Sequence, residues 1–194
     1  SFFFVYYLMN FKELTTISVF FYFCILGLYV LGLLDDLYHL NAIKRIFFTS
    51  SIYLFFFSND LFAPGDNFLL VNNLNLILND IEINLNFIQS IIFTVFCLLC
   101  FQNAINMIDG LNGLSSLILI IINFFIFFFS KDSIFLEINR LLLVFLIVYF
   151  LFNIKGKLFF GESGIYIISF ITSLLIIFGY KKGYFYVEQI ILLL

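Results

Sequence analysis

The chain has 194 residues, of which 64% are hydrophobic and only 11% are charged, and its formal net charge is −3. Soluble domains carry about 25% charged residues, and disordered chains are poor in apolar and aromatic residues, so both classes are excluded. The mean hydropathy of +1.17 indicates an integral membrane protein, and the sequence has no basic patch of the kind that nucleic-acid binding requires.

The apolar residues fall in blocks that suit membrane-spanning helices, which need about 20 mostly apolar residues. Continuous runs, rather than alternation over about ten residues, favour helices over barrel strands. We therefore predict an all-α fold, a polytopic membrane helix bundle with six spans. The predicted spans are residues 14–34, 43–60, 87–108, 114–130, 138–154 and 164–180.

The two ends of the chain indicate a fragment of a longer protein. The sequence lacks an initiator Met, and a seventh apolar run begins near Val187 and stops at Leu194. We expect residues 1–194 to form a single integral-membrane domain that is truncated at both ends.

The segment between the second and third spans, residues 59–86, contains the turn signal APGD. Two short apolar runs around an Asn-Asn pair follow, and then DIEINLNF, which alternates with period 2. The two apolar runs predict a small β-hairpin on the far surface of the bundle, and the alternating segment is a candidate for its continuation.

Polar residues are dense in three of the segments between spans, residues 35–45, 103–113 and 155–164. Because each span crosses the membrane, all three segments are predicted to face one compartment, where they would form a shared active face. Basic residues do not identify that compartment, since four lie on this side and five on the other.

Asp35 and Asp36 directly follow an apolar span, and carboxylates at a membrane edge are functional candidates. Neighbouring residues of a helix point about 100° apart, so the two carboxylates are expected to serve different partners. One of them could hold Mg²⁺ while the other accepts a proton or orients a basic group. An interfacial, solvated pair is the alternative.

In NAINMIDGLNG, an amide or carboxylate recurs at every third residue, which predicts a polar stripe on one side of a helix. Amides, a carboxylate and two glycines suit a site for phosphate and Mg²⁺, because Mg²⁺ prefers oxygen ligands and shares them with phosphates. A polar helix cap at the interface is the alternative. The stripe consists of Asn103, Asn106, Asp109 and Asn112.

Glu162 lies between two glycines in KLFFGESG, shortly after Lys155 and Lys157. This combination fits phosphate and metal binding, and equally a plain loop between two spans. His39 is the only histidine, and nothing in the sequence pairs with it.

The segments LGLLDD, NAINMIDGLNGL and GKLFFGESG together resemble, in order and spacing, the motifs of the polyprenyl-phosphate N-acetylhexosamine-1-phosphate transferases, glycosyltransferase family 4. This family includes the undecaprenyl-phosphate GlcNAc-1-phosphate transferases and phospho-MurNAc-pentapeptide translocase. The resemblance covers essentially the whole chain, so residues 1–194 are expected to be one transferase domain.

The resemblance implies transfer of a HexNAc-1-phosphate from a UDP-sugar to polyprenyl (undecaprenyl) phosphate, with release of UMP. GlcNAc-1-phosphate is favoured, because LDDLYHLNAIKR and GKLFFGESG are more similar to that branch. The reaction is the first membrane step of cell-envelope polysaccharide synthesis, for lipopolysaccharide or cell wall. The implied cofactor is Mg²⁺, with Mn²⁺ as a substitute.

The implied partners are a UDP-N-acetylhexosamine, polyprenyl phosphate and the lipid bilayer, with no nucleic acid. The implied location is the bacterial plasma (inner) membrane, crossed several times, with the active face in the cytoplasm. The oligomeric state is left open, a dimer being one of the alternatives.

By match to the family motifs, site roles are expected for ten residues. The expected catalytic residues are Asp35, Asp36 and Asp109. The expected substrate-binding residues are Asn103, Asn106, Asn112, Phe159, Lys44 and Arg45, with Phe159 near uracil and Lys44 or Arg45 on phosphate. The expected metal ligands are Asp109 and Glu162.

The chain departs from the family pattern at three positions and at its end. His39 stands where an acidic residue is frequent, Asn112 where a second Asp is frequent, and Glu162 where the family has a Mg²⁺-binding Asp. The extra methylene of Glu162 matters because Mg²⁺ demands near-ideal octahedral geometry. The family's histidine-rich loop should follow the next span, so the fragment by itself is expected to be inactive.

Two other functions compete with the enzyme. A multi-pass ion or solute transporter would place ionisable residues near the midplane, often in broken helices. Here the carboxylates lie at span ends on one side, which favours an interfacial enzyme. An inactive family member with a structural role is the second alternative, and it is motivated by Glu162 and the missing loop.

Overall fold

The computed structural model describes residues 15–57, 70–76 and 81–186. Within these residues the chain forms six helices and a two-stranded sheet. The elements are α1 (Thr15–Tyr38), α2 (Ala42–Phe57), β1 (Asn73–Leu76), β2 (Ile81–Asn84), α3 (Phe87–Ile108), α4 (Leu114–Phe129), α5 (Ser133–Asn153) and α6 (Gly161–Lys181).

The predicted all-α membrane bundle is confirmed, since each of the six predicted spans corresponds to one helix. Four of the described helices, α1, α3, α5 and α6, contain segments that are long and apolar enough to cross a membrane. The described lengths of α2 and α4 are 16 residues, just below the usual minimum of about 17. Two of the boundary differences bear on function: α1 extends to Tyr38 and therefore includes both aspartates, and α6 begins at Gly161 rather than at 164.

Successive helices alternate in direction, so the three polar segments meet at one end of the bundle. At that end Arg45, at the start of α2, reaches Asp35 at the end of α1, and Gly113 bonds to Asn153. This arrangement is the one predicted from counting spans. It brings the chemistry-bearing residues of distant segments together.

The β-hairpin lies at the opposite end, as predicted. Its strands pair antiparallel with Asn73 opposite Asn84, and the Tyr180 hydroxyl near the end of α6 donates a hydrogen bond to the Asn73 carbonyl. The APGD turn and the predicted seventh span lie outside the described residues.

Helix α6 is the central helix of the bundle. Its apolar segment is 67% buried, compared with 22% to 33% for the other three membrane-length segments. Phe170 of α6 stacks on Tyr53 of α2, with ring centroids 5.4 Å apart. Because α6 is enclosed by its neighbours, the residues of its first turn are held firmly against α1 and α2.

The backbones of α1 and α6 touch at Gly32. A Cβ atom at this position would lie 2.2 Å from the Cα of Ser163, closer than any side chain tolerates. Glycine is therefore required here for the close approach of the two helices rather than for a special backbone angle. The contact lies one turn below Asp35 and Asp36.

A buried polar cluster joins α4, α5 and α6. The Asn139 amide donates to the Asn123 carbonyl at 2.8 Å, and the Asn123 amide donates to the Thr172 hydroxyl at 3.3 Å. The Oδ1 atoms of both asparagines are buried and have no hydrogen-bond partner among the described residues. Such amides connect helices where there is no water to bind them.

Candidate active site

Asp35 lies in the last turn of α1 and is only 4% exposed. Its Oδ1 accepts a hydrogen bond from the Leu40 N–H at 2.9 Å, and its Oδ2 accepts one from the Tyr166 hydroxyl at 2.8 Å. The first bond depends on a tight exit from the helix, where His39 adopts the left-handed conformation with φ of 48°. Asp35 is therefore held in place from two sides.

Arg45 bridges two carboxylates that are far apart in the sequence. Its Nη1 lies 3.4 Å from Asp35 Oδ2 and 3.5 Å from Glu162 Oε1. Both distances exceed the 2.7–2.9 Å of a strong charge-assisted hydrogen bond, so neither partner holds the guanidinium tightly. The first and third polar segments meet at this guanidinium.

Two buried atoms of this group have no hydrogen-bond partner among the described residues, the Arg45 Nε and the Glu162 Oε2. Buried polar atoms are nearly always paired, and one that is not is costly. One of these atoms is a donor and the other an acceptor. They suit a ligand that presents both an anionic oxygen and a cation.

Asp36 has different partners from Asp35, as predicted from the geometry of a helix. Its Oδ1 accepts a hydrogen bond from the backbone N–H of Glu162 at 3.0 Å. Gly161 adopts a positive φ of 65°, and a Cβ on it would lie 3.1 Å from Asp36 Oδ2. Asp36 thus caps the N-terminus of α6, and a glycine makes room for it.

The second polar segment contributes Asn106, whose side chain lies near the Glu162 carboxylate. Asn103, one turn earlier, donates instead to the Leu99 carbonyl of its own helix at 2.8 Å. The three polar segments therefore all reach the neighbourhood of Glu162, and Asn106 represents the second of them.

The predicted continuous helical stripe is wrong beyond Asp109. Helix α3 ends at Ile108, and Asp109 is its C-terminal cap, because the following residues through Gly113 form a turn. Asn112 is exposed in that turn, and a Cβ on Gly156 would lie 3.4 Å from its Nδ2. It therefore faces the segment before α6 rather than continuing the stripe.

Asp109 belongs to a second group at the same end of the bundle. The Ser115 hydroxyl donates a hydrogen bond to its Oδ1. Partial burial raises the pKa of the Asp109 carboxyl above its usual range, and the bond from Ser115 opposes that rise. The contacts of the described residues place Asp109 and Glu162 in different groups. Among the described residues, no three acidic, histidine or cysteine side chains cluster as a metal site.

Asn153, at the end of α5, connects the turn after α3 to the segment before α6. It is fully buried, its Oδ1 accepts from the Gly113 N–H at 2.7 Å, and its Nδ2 donates to the Leu158 carbonyl at 2.7 Å. Its Oδ1 also accepts from the Ser116 hydroxyl at 3.2 Å. This side chain fixes how the second and third polar segments lie relative to each other.

A comparison with protein-family models finds the model described as Glycosyl transferase family 4, which matches residues 18–180. The chain belongs to glycosyl transferase family 4. Neither the search of the curated proteins nor that of the solved structures gave a match. The family resemblance seen in the sequence is confirmed, and with it a general function as a polyprenyl-phosphate sugar-1-phosphate transferase in a membrane.

Three further residues with expected substrate roles differ from one another in how accessible they are in this family 4 chain. Phe159 is 57% exposed, while its neighbour Phe160 stacks on Tyr149 with centroids 3.7 Å apart. Lys44 is exposed and Arg45 is partly buried in the bridge described above. Phe159 and Lys44 are thus accessible to a ligand, whereas Arg45 is already engaged.

Tyr166 and Asn153 were missed by reasoning from the sequence. Tyr166 stands in an apolar span like any core aromatic, and Asn153 stands at the end of one like any interfacial residue. The only signal for Tyr166 is its spacing of four residues from Glu162, which places both residues on one face of a helix. Asn153 offers no comparable signal.

Proposed function

We propose that the protein transfers GlcNAc-1-phosphate from UDP-GlcNAc to undecaprenyl phosphate and releases UMP, as the first membrane step of cell-envelope polysaccharide synthesis. The observation that carries this proposal is the Arg45 bridge between Asp35 and Glu162. It joins carboxylates and a cation from distant motifs at one end of a membrane bundle. Family membership supports the reaction class.

In the proposed reaction, an oxygen of the lipid phosphate attacks the phosphorus atom that carries the sugar. A new P–O bond forms, the diphosphate bond breaks, and UMP leaves with the electron pair. Both reactants are anionic, so the site must offset their repulsion and align them for in-line displacement.

Arg45 is the proposed contact for the lipid phosphate. Its Nε is buried without a partner among the described residues, so a phosphate oxygen would complete its hydrogen bonding. Exposed Lys44, next to it on α2, adds positive charge at the same helix start. Asp35 is ion-paired with the guanidinium, so its proposed role is to orient Arg45.

One carboxylate oxygen beside Arg45 supports the proposed divalent cation. Glu162 Oε2 is buried without a partner among the described residues, whereas both Asp35 oxygens and Asp36 Oδ1 already accept hydrogen bonds and no three such side chains cluster there. Mg²⁺ prefers oxygen ligands of this kind, and Mn²⁺ accepts them too. Glu162 is the better supported of the two proposed ligands, and Asp109 is proposed as the second. When bound, the ion would supply charge neutralisation on the phosphates.

The nucleotide is proposed to lie near the second and third polar segments. Phe159 offers an exposed aromatic face for uracil, and the amides of Asn103, Asn106 and Asn112 are proposed to contact the nucleotide. We place this face in the cytoplasm of a bacterium, at the plasma membrane, on the strength of the family resemblance. UDP-N-acetylhexosamine is a cytoplasmic metabolite in that assignment.

The test is UMP release by the full-length protein in detergent with polyprenyl phosphate and a series of UDP-sugars. We expect release with UDP-GlcNAc that requires Mg²⁺ and stops when the metal is chelated. The proposal is overturned if no UDP-sugar gives UMP while the assayed protein remains folded. Folding is checked by comparing its unfolding temperature with that of protein not used in the assay. Absence of UMP from folded protein would favour an inactive family member.

The ligand assignment is tested by a metal titration of two variants. Glu162→Gln keeps the size of the side chain and removes its charge. We expect activity to require at least tenfold more Mg²⁺, since even the outer-shell partners of a metal are worth about 10–100-fold in affinity. Asp109→Asn is the parallel variant in the other group. An unchanged Mg²⁺ requirement in either variant removes that residue from the metal site.

A further inference from the structure

Tyr166 lies one helical turn after Glu162 and is only 2% exposed. Its hydroxyl donates a 2.8 Å hydrogen bond to Asp35 Oδ2, the same oxygen that lies 3.4 Å from Arg45 Nη1. Residues four apart in a helix share a face, so α6 presents Glu162 and Tyr166 together to the ends of α1 and α2. These two residues hold the Asp35–Arg45 pair between them.

The Tyr166 hydroxyl competes with Arg45 for the same carboxylate oxygen. Asp35 is almost fully buried, and it accepts bonds from Leu40 and Tyr166 at normal lengths but from Arg45 only at 3.4 Å. Without the phenol, Oδ2 would keep the guanidinium as its single partner. The guanidinium would then move towards Asp35 and away from Glu162, because a buried carboxylate cannot stay unsatisfied.

We propose that Tyr166 is a positioning residue that sets where Arg45 stands. Its hydroxyl satisfies Asp35 Oδ2, so Arg45 remains between Asp35 and Glu162 with its Nε side open to the anionic phosphate of the lipid acceptor. This inference rests on the proposed function, since it names the residue that orients the proposed phosphate contact. Tyr166 itself touches neither substrate.

A purely structural role for the Tyr166 hydroxyl is the alternative. Buried tyrosines usually find a hydrogen-bond partner, and Tyr53 does so with Gln102. The two tyrosines differ in their acceptor. Tyr53 donates to a neutral amide, whereas Tyr166 donates to a carboxylate that is ion-paired with the site cation. Tyr53→Phe is therefore the matched control, as it removes a buried hydroxyl that contacts no charged group.

The experiment compares Tyr166→Phe with Tyr53→Phe in the full-length protein in detergent. Binding of polyprenyl phosphate and of UDP-GlcNAc is measured separately, and KM and kcat are measured for both. We expect Tyr166→Phe to weaken polyprenyl phosphate binding about tenfold, the order of one hydrogen bond to a charged group, with UDP-GlcNAc binding unchanged. Tyr53→Phe should bind both ligands as the unmodified protein does.

A double-variant cycle separates positioning from general stability. If Tyr166 acts through Arg45, then adding Tyr166→Phe to Arg45→Gln should weaken lipid phosphate binding no further. Equal loss of affinity for both ligands, an additive double variant, or no loss at all would overturn the inference. Should Tyr166→Phe fail to fold, Asp35→Asn, which keeps an oxygen acceptor and removes the charge that holds Arg45, must show the same selective loss.

The binding measurement keeps this inference separate from the proposed reaction. Protein that binds polyprenyl phosphate in a Tyr166-dependent way but releases no UMP would contradict the reaction and support the positioning role. If the protein releases UMP and both tyrosine variants bind lipid phosphate with equal affinity, the reaction is supported and the positioning role is contradicted.

Discussion

The Asp36 carboxylate accepts a hydrogen bond from the backbone N–H of Glu162 at 3.0 Å, across 126 residues of sequence. The first N–H groups of a helix have no partner within the helix, and its N-terminus carries a partial positive charge. The Asp36 side chain of α1 therefore accepts a hydrogen bond from one of the unpaired N–H groups at the start of α6. The first and third polar segments are joined by a helix cap as well as by the Arg45 bridge.

Two substitutions at Asp36 should separate capping from charge. Asp36→Ala removes the cap, which costs about 1 kcal/mol and should lower the unfolding temperature by a few degrees. Asp36→Asn keeps an oxygen acceptor, so its unfolding temperature should stay close to that of the unmodified protein while UMP release falls. Thermal unfolding in detergent and the UMP assay are the two measurements. Equal unfolding temperatures for the two variants would show that the cap contributes no stability.

Gly32 and Gly27 form a matched pair within α1. Gly32→Ala places a methyl group 2.2 Å from the Ser163 backbone and should destabilise the bundle by about 1–3 kcal/mol or more, the usual cost of overpacking. At Gly27 the nearest atom is 3.4 Å away in the flexible Ile52 side chain. Gly27→Ala should therefore be neutral or stabilising by up to about 1 kcal/mol, since alanine favours helix. Equal unfolding temperatures for these two variants would contradict the close contact.

Asp109 should make stability depend on pH. Burial raises the pKa of its carboxyl in the folded state above the ordinary value of about 3.9. The folded protein therefore binds this proton more tightly than the unfolded protein, and stability falls as pH rises between the ordinary and the raised pKa. Above that window the loss from this group is complete and constant.

The measurement is the unfolding temperature against pH for the unmodified protein and Asp109→Asn, without metal. Asn resembles the protonated carboxyl, so the two proteins should agree at low pH, and the unmodified protein should fall below the variant as pH rises. Ser115→Ala removes the hydrogen bond that lowers the pKa, so the fall in stability should extend to higher pH and become larger. Parallel curves at all pH values would show that Asp109 does not titrate abnormally.

Asn139 and Asn153 are two fully buried asparagines of α5 with opposite expected behaviour. Asn139 makes one inter-helix bond and has an unpartnered Oδ1 among the described residues, so Asn139→Leu should be neutral or should raise the unfolding temperature. Both ends of the Asn153 amide are bonded, and Asn153→Leu would leave the buried Gly113 N–H unpaired. It should lower stability by at least about 1–3 kcal/mol. A larger loss for Asn139→Leu would indicate that its Oδ1 binds a ligand or water.

Several features of the fold and the site followed from the sequence because they depend on composition and helical geometry. Apolar runs located the six helices, counting them placed the polar segments at one end, and the 100° rotation per residue separated Asp35 from Asp36. Each of these rests on local rules that do not require tertiary contacts. The hairpin was predicted from the two apolar runs around Asn-Asn, whereas its second strand in the structure is the alternating segment that was predicted as its continuation.

Other features depended on contacts that no local pattern encodes. The amide stripe continued by spacing alone past Asp109, but Gly110 and the turn after it end the helix. Tyr166 is one of eleven tyrosines, and only the approach of α6 to α1 distinguishes its hydroxyl from the others. Arg45 was expected on phosphate, but its bridge to Glu162 depends on how three helix ends meet.

The contact at Gly32 also limits how a lipid can reach the carboxylates. The α1 and α6 backbones touch one turn below Asp36, so a polyprenyl chain cannot pass between these two helices. The lipid acceptor of the proposed reaction would have to approach along a different pair of helices. One glycine thereby restricts the direction of substrate entry to a site that it does not itself form.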